Sequence, residues 1–164
     1  MIKNQKEVHP IKPVIDENSE VLILGSFPSV KSRENKFFYM HPQNRFWKIL
    51  SNLFEDDFVN CSIENKKLLC KKHNIAIFDV IKSCTISGSR DSSIDNVVAN
   101  NIKELIKDTK IKHIYCNGNK SYSLFLKYNK DINIPITLLP SSSPANAKMK
   151  LEDLLLQWSI IRKI

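Results

Sequence analysis

Short, continuous apolar runs alternate along this chain with stretches of helical periodicity. The runs Val21-Leu22-Ile23-Leu24, Ile75-Ala76-Ile77-Phe78, Ile111 to Cys116 and Ile134 to Leu139 are rich in β-branched residues and lack the alternation of a strand with one wet face. They predict four strands buried on both sides, and therefore parallel. Helical patterns cover Asn44 to Phe54, Ile63 to His73, Ile94 to Lys107 and Lys120 to Tyr128, and a last helix from about Lys148 to Ile161 carries Leu151, Leu154, Leu155 and Trp158. A strand followed by a helix, four times over, predicts an α/β sandwich.

Ligands of open parallel sheets bind outside the carboxyl ends of the strands. The unusual residues fall at those ends. Gly25-Ser26-Phe27-Pro28-Ser29 follows the first strand, Asp79 the second, Asn117-Gly118 the third and Pro140-Ser141-Ser142-Ser143-Pro144-Ala145-Asn146 the fourth. The pattern brings four polar or Pro/Ser loops to one edge.

The chain has 164 residues, so a single domain spanning 1–164 is expected, and 42% hydrophobic residues suffice for its core. With 25 Lys and Arg against 17 Asp and Glu, the formal charge is +8, which favours an acidic partner such as nucleic acid, although a Lys-rich composition alone raises the charge. The stretch MIKNQKEVHPIKP holds no apolar signal core and no run approaches a membrane span, so a cytoplasmic protein without membrane contact is expected. Cys61, Cys70, Cys84 and Cys116 show no C-x-x-C spacing, and His9, His41, His73 and His113 are scattered. Reduced core thiols are expected, with neither metal nor cofactor.

Each motif carries two readings. The segment from Pro140 to Pro144 either ends a strand and caps the last helix, or uses serine hydroxyls and backbone N–H groups, stiffened by two prolines, to grip phosphate oxygens. Gly25 to Ser29 can do the same from the neighbouring strand. In Phe37-Phe38-Tyr39-Met40-His41-Pro42-Gln43-Asn44-Arg45-Phe46-Trp47, Phe46 and Trp47 belong to the core, whereas Phe37, Phe38 and Tyr39 precede the helix and offer a stacking surface for an unpaired base. Asn44 is either that helix's cap or a functional amide. Asn117 before Gly118 is either a turn residue or a reader of the base.

These segments carry a resemblance. Pro13-Val14-Ile15-Asp16, Leu22-Ile23-Leu24-Gly25-Ser26-Phe27-Pro28, Tyr39 to Trp47, Gly88-Ser89-Arg90-Asp91-Ser92-Ser93-Ile94, Cys116-Asn117-Gly118 and Leu139 to Asn146 occur in order across nearly the whole chain. Together they resemble the hypoxanthine-DNA glycosylase (DNA-deoxyinosine glycosylase) branch of the uracil-DNA glycosylase superfamily. The resemblance implies a three-layer sandwich with a four-stranded parallel sheet between helices. It also implies base flipping and monofunctional cleavage of the N-glycosidic bond in single- or double-stranded DNA by a monomer, as a step of base excision repair.

By the same resemblance, Asn44 is the catalytic residue, expected to hold and orient water because an amide is a poor base. Asn117, Phe27, Phe38 and Tyr39 would bind the base, with Asp91 near the same pocket. Gly25, Ser26, Pro28, Ser29, His41, Ser92, Ser93, Pro140, Ser141, Ser142, Ser143, Pro144 and Asn146 would hold DNA. The chain departs from uracil-specific relatives, with Ser26 and Phe27 where they carry an Asp or Asn, Leu139 where they carry a His, and Ser29 in place of a common Gly. No carboxylate activates water from the first loop, so a slower reaction or a good leaving group is expected. A uracil or mismatch enzyme on the same scaffold, or a binding module without turnover, are the rival readings. If the resemblance holds, the protein releases hypoxanthine in EDTA and leaves an abasic strand intact until alkali is added; loss of activity in EDTA, or strand cleavage trapped by borohydride, contradicts this.

Overall fold

The structure is a computed structural model that describes residues 4–162; residues 1–3 and 163–164, part of the expected single domain, lie outside it. In chain order the strands are β1 (Gln5–Val8), β2 (Val21–Gly25), β3 (Ile75–Asp79), β4 (Ile81–Ile86), β5 (Asp95–Ala99), β6 (His113–Asn117) and β7 (Ile136–Leu139). The helices are α1 (Val30–Asn35), α2 (Phe46–Phe54), α3 (Ile63–Lys72), α4 (Ile102–Ile106), α5 (Asn119–Tyr128) and α6 (Leu151–Trp158).

The four predicted apolar runs form one parallel sheet in the order β3-β2-β6-β7. Alternate side chains point to opposite faces, so each run feeds two cores. Val21, Ile23, Ile75, Ile77 and Tyr115 face α2, α3 and α6, where Phe46, Trp47, Leu50, Cys70 and Trp158 are buried. Leu22, Leu24, Ala76, Ile114 and Cys116 face the opposite way, against Ile102 and Ile106 of α4 and Leu124 and Phe125 of α5. This is the expected three-layer arrangement around a four-stranded parallel sheet.

A second sheet shares the latter face. It is antiparallel, in the order β1-β4-β5, and it contributes Ile81, Cys84 and Ile86 to the core. The sequence pattern gave no sign of it, and the helix expected from Ile94 to Lys107 is corrected to strand β5 followed by the short α4. Asn101 makes the break: its side chain accepts the Glu104 N–H at 3.1 Å, capping α4, while Asp95, Val98 and Ala99 pair with β4. Helix α1 was also unforeseen, and β7 starts at Ile136 because Pro135 has no N–H to offer the ladder. The four cysteines carry free thiols; burial pushes Cys70 up to about 12 and Cys116 up to about 11. Among the described residues no helix is long and apolar enough to cross a membrane.

From β2 the chain goes first to β3 on one side and later to β6 on the other. The order reverses at the carboxyl ends of β2 and β6, where such sheets open a crevice. Trp158 ties this edge to the core, being fully buried and donating its Nε1–H to the Pro140 carbonyl at 2.9 Å. Trp158→Ala should lower unfolding free energy by about 3–5 kcal/mol, and Trp158→Phe by less but measurably, because the Pro140 carbonyl loses its donor. Urea denaturation followed by the remaining Trp47 checks both.

Candidate active site

A cavity of about 420 Å³ opens at the switch point. Gly25 to Ser29 after β2, Asp79 at the end of β3, Asn117 at the end of β6 and Ser141 to Ala145 after β7 form its walls, with Phe38, Tyr39, His41, Asn44 and Asp91. The carboxyl ends of all four parallel strands therefore contribute.

Ser142 joins three of these segments. It is fully buried; its N–H donates to Asn117 Oδ1 at 3.0 Å, and its Oγ receives the Asn117 Nδ2–H at 2.9 Å and donates to Asn44 Oδ1 at 2.9 Å. A backbone N–H can only donate, which fixes the orientation of the Asn117 amide. Asn44 Oδ1 also accepts the Phe46 N–H at 2.9 Å. Both of its lone pairs are then engaged, so among the described residues the Asn44 Nδ2 group is the part without a protein partner, and Asn44 is a residue of the cavity wall.

Arg45 holds the same loop from the other side. Its N–H and Nε–H donate to the Ser142 carbonyl at 3.1 and 3.2 Å, its guanidinium reaches Ser143 O at 2.6 Å and Asn146 O at 3.1 Å, and it also bonds the Met149 carbonyl. A cation opening a helix opposes the macrodipole, and four carbonyl partners outside the helix offset that cost.

The cavity floor is built differently. His9 accepts the Ile11 N–H on Nδ1 at 3.2 Å, which leaves its proton on Nε2 to be donated to Asp79 Oδ2 at 2.7 Å. The two side chains are 3% and 4% exposed. Asp79 Oδ1 lies against Gly25, where a Cβ would overlap it and come within 2.9 Å of Tyr39 Oη, so no larger residue fits. Tyr39 sits at φ 55°, stacks on Phe46 with ring centroids 4.0 Å apart, and buries its hydroxyl without a partner. Burial, reinforced by the Asp79 charge, drives that hydroxyl far above the usual phenol range. At the rim, Ser26 Oγ donates to Asp91 Oδ1 at 3.1 Å. Asp91 is exposed as a residue, yet its carboxyl rests on the cavity wall and desolvation there raises its pKa.

Residues 12–160 match the family model of the uracil DNA glycosylase superfamily. The chain belongs to this superfamily. It is 34% identical over 140 residues to a hypoxanthine DNA glycosylase of Methanosarcina barkeri, covering 83% of this chain and 86% of the relative. A hypoxanthine DNA glycosylase of Methanosarcina acetivorans is 36% identical over 141 residues, 82% of this chain and 85% of its own. A solution NMR structure of a proposed uracil DNA glycosylase from Methanosarcina acetivorans superposes with a TM-score of 0.82 at 29% identity, covering 93% of this chain and 95% of that one.

The glycosylase fold brings most of the sequence candidates together. Asn44, Asn117, Phe27, Phe38, Tyr39, Gly25, Ser26, Pro28, Ser29, His41, Ser141, Ser142, Ser143 and Pro144 all line the cavity. Ser92, Pro140 and Asn146 border a neighbouring groove with Gly118 and Lys120. Ser93 lines neither; its hydroxyl is spent on Ser87 and Arg90 within a 3-10 turn. The Ser29 hydroxyl caps α1, accepting the Ser32 N–H at 3.2 Å. Phe37 belongs to the core, stacked 5.7 Å from Trp47. Sequence reasoning assigned no role to His9, Arg45 or Asp79. His9 arrives on β1, which the pattern did not foresee, but a guanidinium at a helix start was a signal available in the sequence.

Arg45→Lys keeps the charge and loses the fork, so several of its carbonyls are left without a donor. The variant should be destabilised by about 2–3 kcal/mol in urea, with faster amide exchange at Ser142 and Asn146 than elsewhere in the protein. Exchange unchanged in that loop contradicts the role.

Proposed function

We propose that this superfamily member is a monofunctional DNA glycosylase that removes a deaminated base, hypoxanthine foremost, from single- or double-stranded DNA, acting as a monomer in base excision repair. The observation that carries the reading is the pair of hypoxanthine DNA glycosylases aligned over more than four fifths of the chain. The cavity agrees with it: about 420 Å³ has room for a flipped base together with its sugar.

Asn44 was expected to hold water, which needs a free acceptor. Its Oδ1 already takes two protein donors, so the group available to the reactants is the Nδ2–H pair. Cleavage of the N-glycosidic bond leaves a cationic sugar and charge on the departing base. Fixed N–H donors suit the latter, being aimed in advance at the negative charge that develops in the transition state. The negative potential of Asp91 at the rim suits the cationic sugar. Ser141, Ser143 and the backbone around Pro28 and Pro144 supply neutral donors for phosphates flanking the flipped nucleotide, with the +8 charge drawing DNA in.

Single-turnover excision from matched oligonucleotides carrying deoxyinosine, deoxyuridine or only normal bases tests the reading. The expected order is hypoxanthine first, uracil weak or absent, and no normal base. Asn44→Ala should slow excision at least about 10²-fold with duplex binding little changed. Asn44→Asp should be no better than the alanine variant, because it offers the base an anionic oxygen in place of a donor. An aspartate variant equal to or faster than the natural protein would return Asn44 to a water-holding role.

A further inference from the structure

The floor of the cavity holds two polar groups that the protein leaves without partners. Among the described residues Asp79 has a donor only at Oδ2, from His9, and none at Oδ1. The Tyr39 hydroxyl has none either, although it is buried. Both close on the same point, the place where a side chain on Gly25 would begin. A buried hydroxyl is costly to leave unpaired, and Asp79 lines the cavity with an oxygen that no protein donor among the described residues occupies. Side by side they form an acceptor next to a donor.

That pair matches one edge of a nucleobase. Hypoxanthine offers N1–H beside O6, and uracil offers N3–H beside O4. Adenine and cytosine present the reverse, a ring nitrogen with a lone pair beside an amino group. Asn117 can make this distinction only in part, since its two polar groups already serve Ser142.

We propose that Asp79 and the Tyr39 hydroxyl read the lactam edge of the flipped base, Asp79 Oδ1 accepting the ring N–H and Tyr39 donating to the exocyclic oxygen, with His9 as the residue that positions Asp79. The proposal rests on the glycosylase reading above and deepens it. Unlike an amide, a carboxylate cannot be turned to present a donor, so an amino base meets lone pair against lone pair. The phenol stays protonated in this setting, which keeps it a donor. Guanine and thymine share the lactam edge, so this device separates deaminated bases from adenine and cytosine, and leaves a 2-amino or 5-methyl group to be rejected by shape.

The test compares excision from oligonucleotides carrying deoxyinosine, 1-methyldeoxyinosine and deoxyadenosine. The natural protein should act on the first and fail on the second, whose ring nitrogen has no proton. In Asp79→Asn the His9 N–H holds the amide oxygen and turns the amino group toward the base. Hypoxanthine excision should fall by about 10²-fold or more, and the preference for inosine over adenosine should shrink by a similar factor. Tyr39→Phe should lose about tenfold in rate with thermal stability unchanged or raised, since the buried hydroxyl has no partner to lose. His9→Leu should erode the same preference, His9→Gln, which keeps a donor, should restore most of it, and His9→Leu should add little in the Asp79→Asn background. Melting curves show that each variant is folded. If the natural protein removes hypoxanthine but Asp79→Asn keeps both its rate and its preference, or 1-methylhypoxanthine is released as readily, this proposal falls while the glycosylase reading stands. If the natural protein releases neither hypoxanthine nor uracil, that reading fails and this proposal with it.

Discussion

One buried hydroxyl group, on Ser142, sets the geometry at the crevice. Asn117 ends β6, Asn44 precedes α2, and Ser142 lies in the loop after β7; the pairing of β6 with β7 ends at Asn117 and Leu139, and nothing in the sheet holds Asn44 in register with either segment. The chain of donors from Asn117 through Ser142 to Asn44 does. Because each link uses a specific lone pair or proton, it fixes position and polarity together. Reversing a single amide would leave two donors or two acceptors facing each other inside the protein. Arg45 takes up the carbonyls of the same loop, so the segment richest in serine and proline is also among the most firmly held.

The parallel sheet was legible because its runs are buried on both faces, a condition that leaves no polar residue in Val21 to Leu24 or Ile75 to Phe78. The antiparallel sheet was hidden for physical reasons. Val80 to Ile81 continues from β3 with no Gly or Pro to mark the change of direction, the turn being made by the N–H groups of Val80 and Ile81 on the carbonyls of Gly25 and Ser26. Ile94, Val97, Val98, Ile102 and Ile106 fall at spacings that a helix and a strand–turn–helix both satisfy, and only the capping side chain of Asn101 distinguishes them.

The site was legible in a similarly uneven way. Residues within a loop announce themselves by composition, and the Pro/Ser segments and the His-Pro-x-Asn turn did so. Partners drawn from distant parts of the chain do not. His9 and Asp79 are 70 positions apart and meet through a strand pairing that leaves no mark in either local sequence. The roles within a motif were also finer than its spelling: the letter at Asn44 suggests an amide, but which end of that amide meets the solvent depends on Ser142 and the Phe46 N–H.

The strand that brings His9 to the floor has a consequence of its own. β1 is four residues long, lies at the edge of the small sheet and pairs with β4 alone. Edge strands of that size open at little free-energy cost while the rest of a domain stays folded. The parallel sheet and the Ser142 junction do not depend on it. A fusion partner or a trimmed first segment that competes with this pairing would therefore leave the parallel sheet in place while the cavity floor loses its imidazole, at the stability cost of a buried carboxylate left without its donor. For this architecture, integrity of the parallel sheet and integrity of the floor are separate quantities.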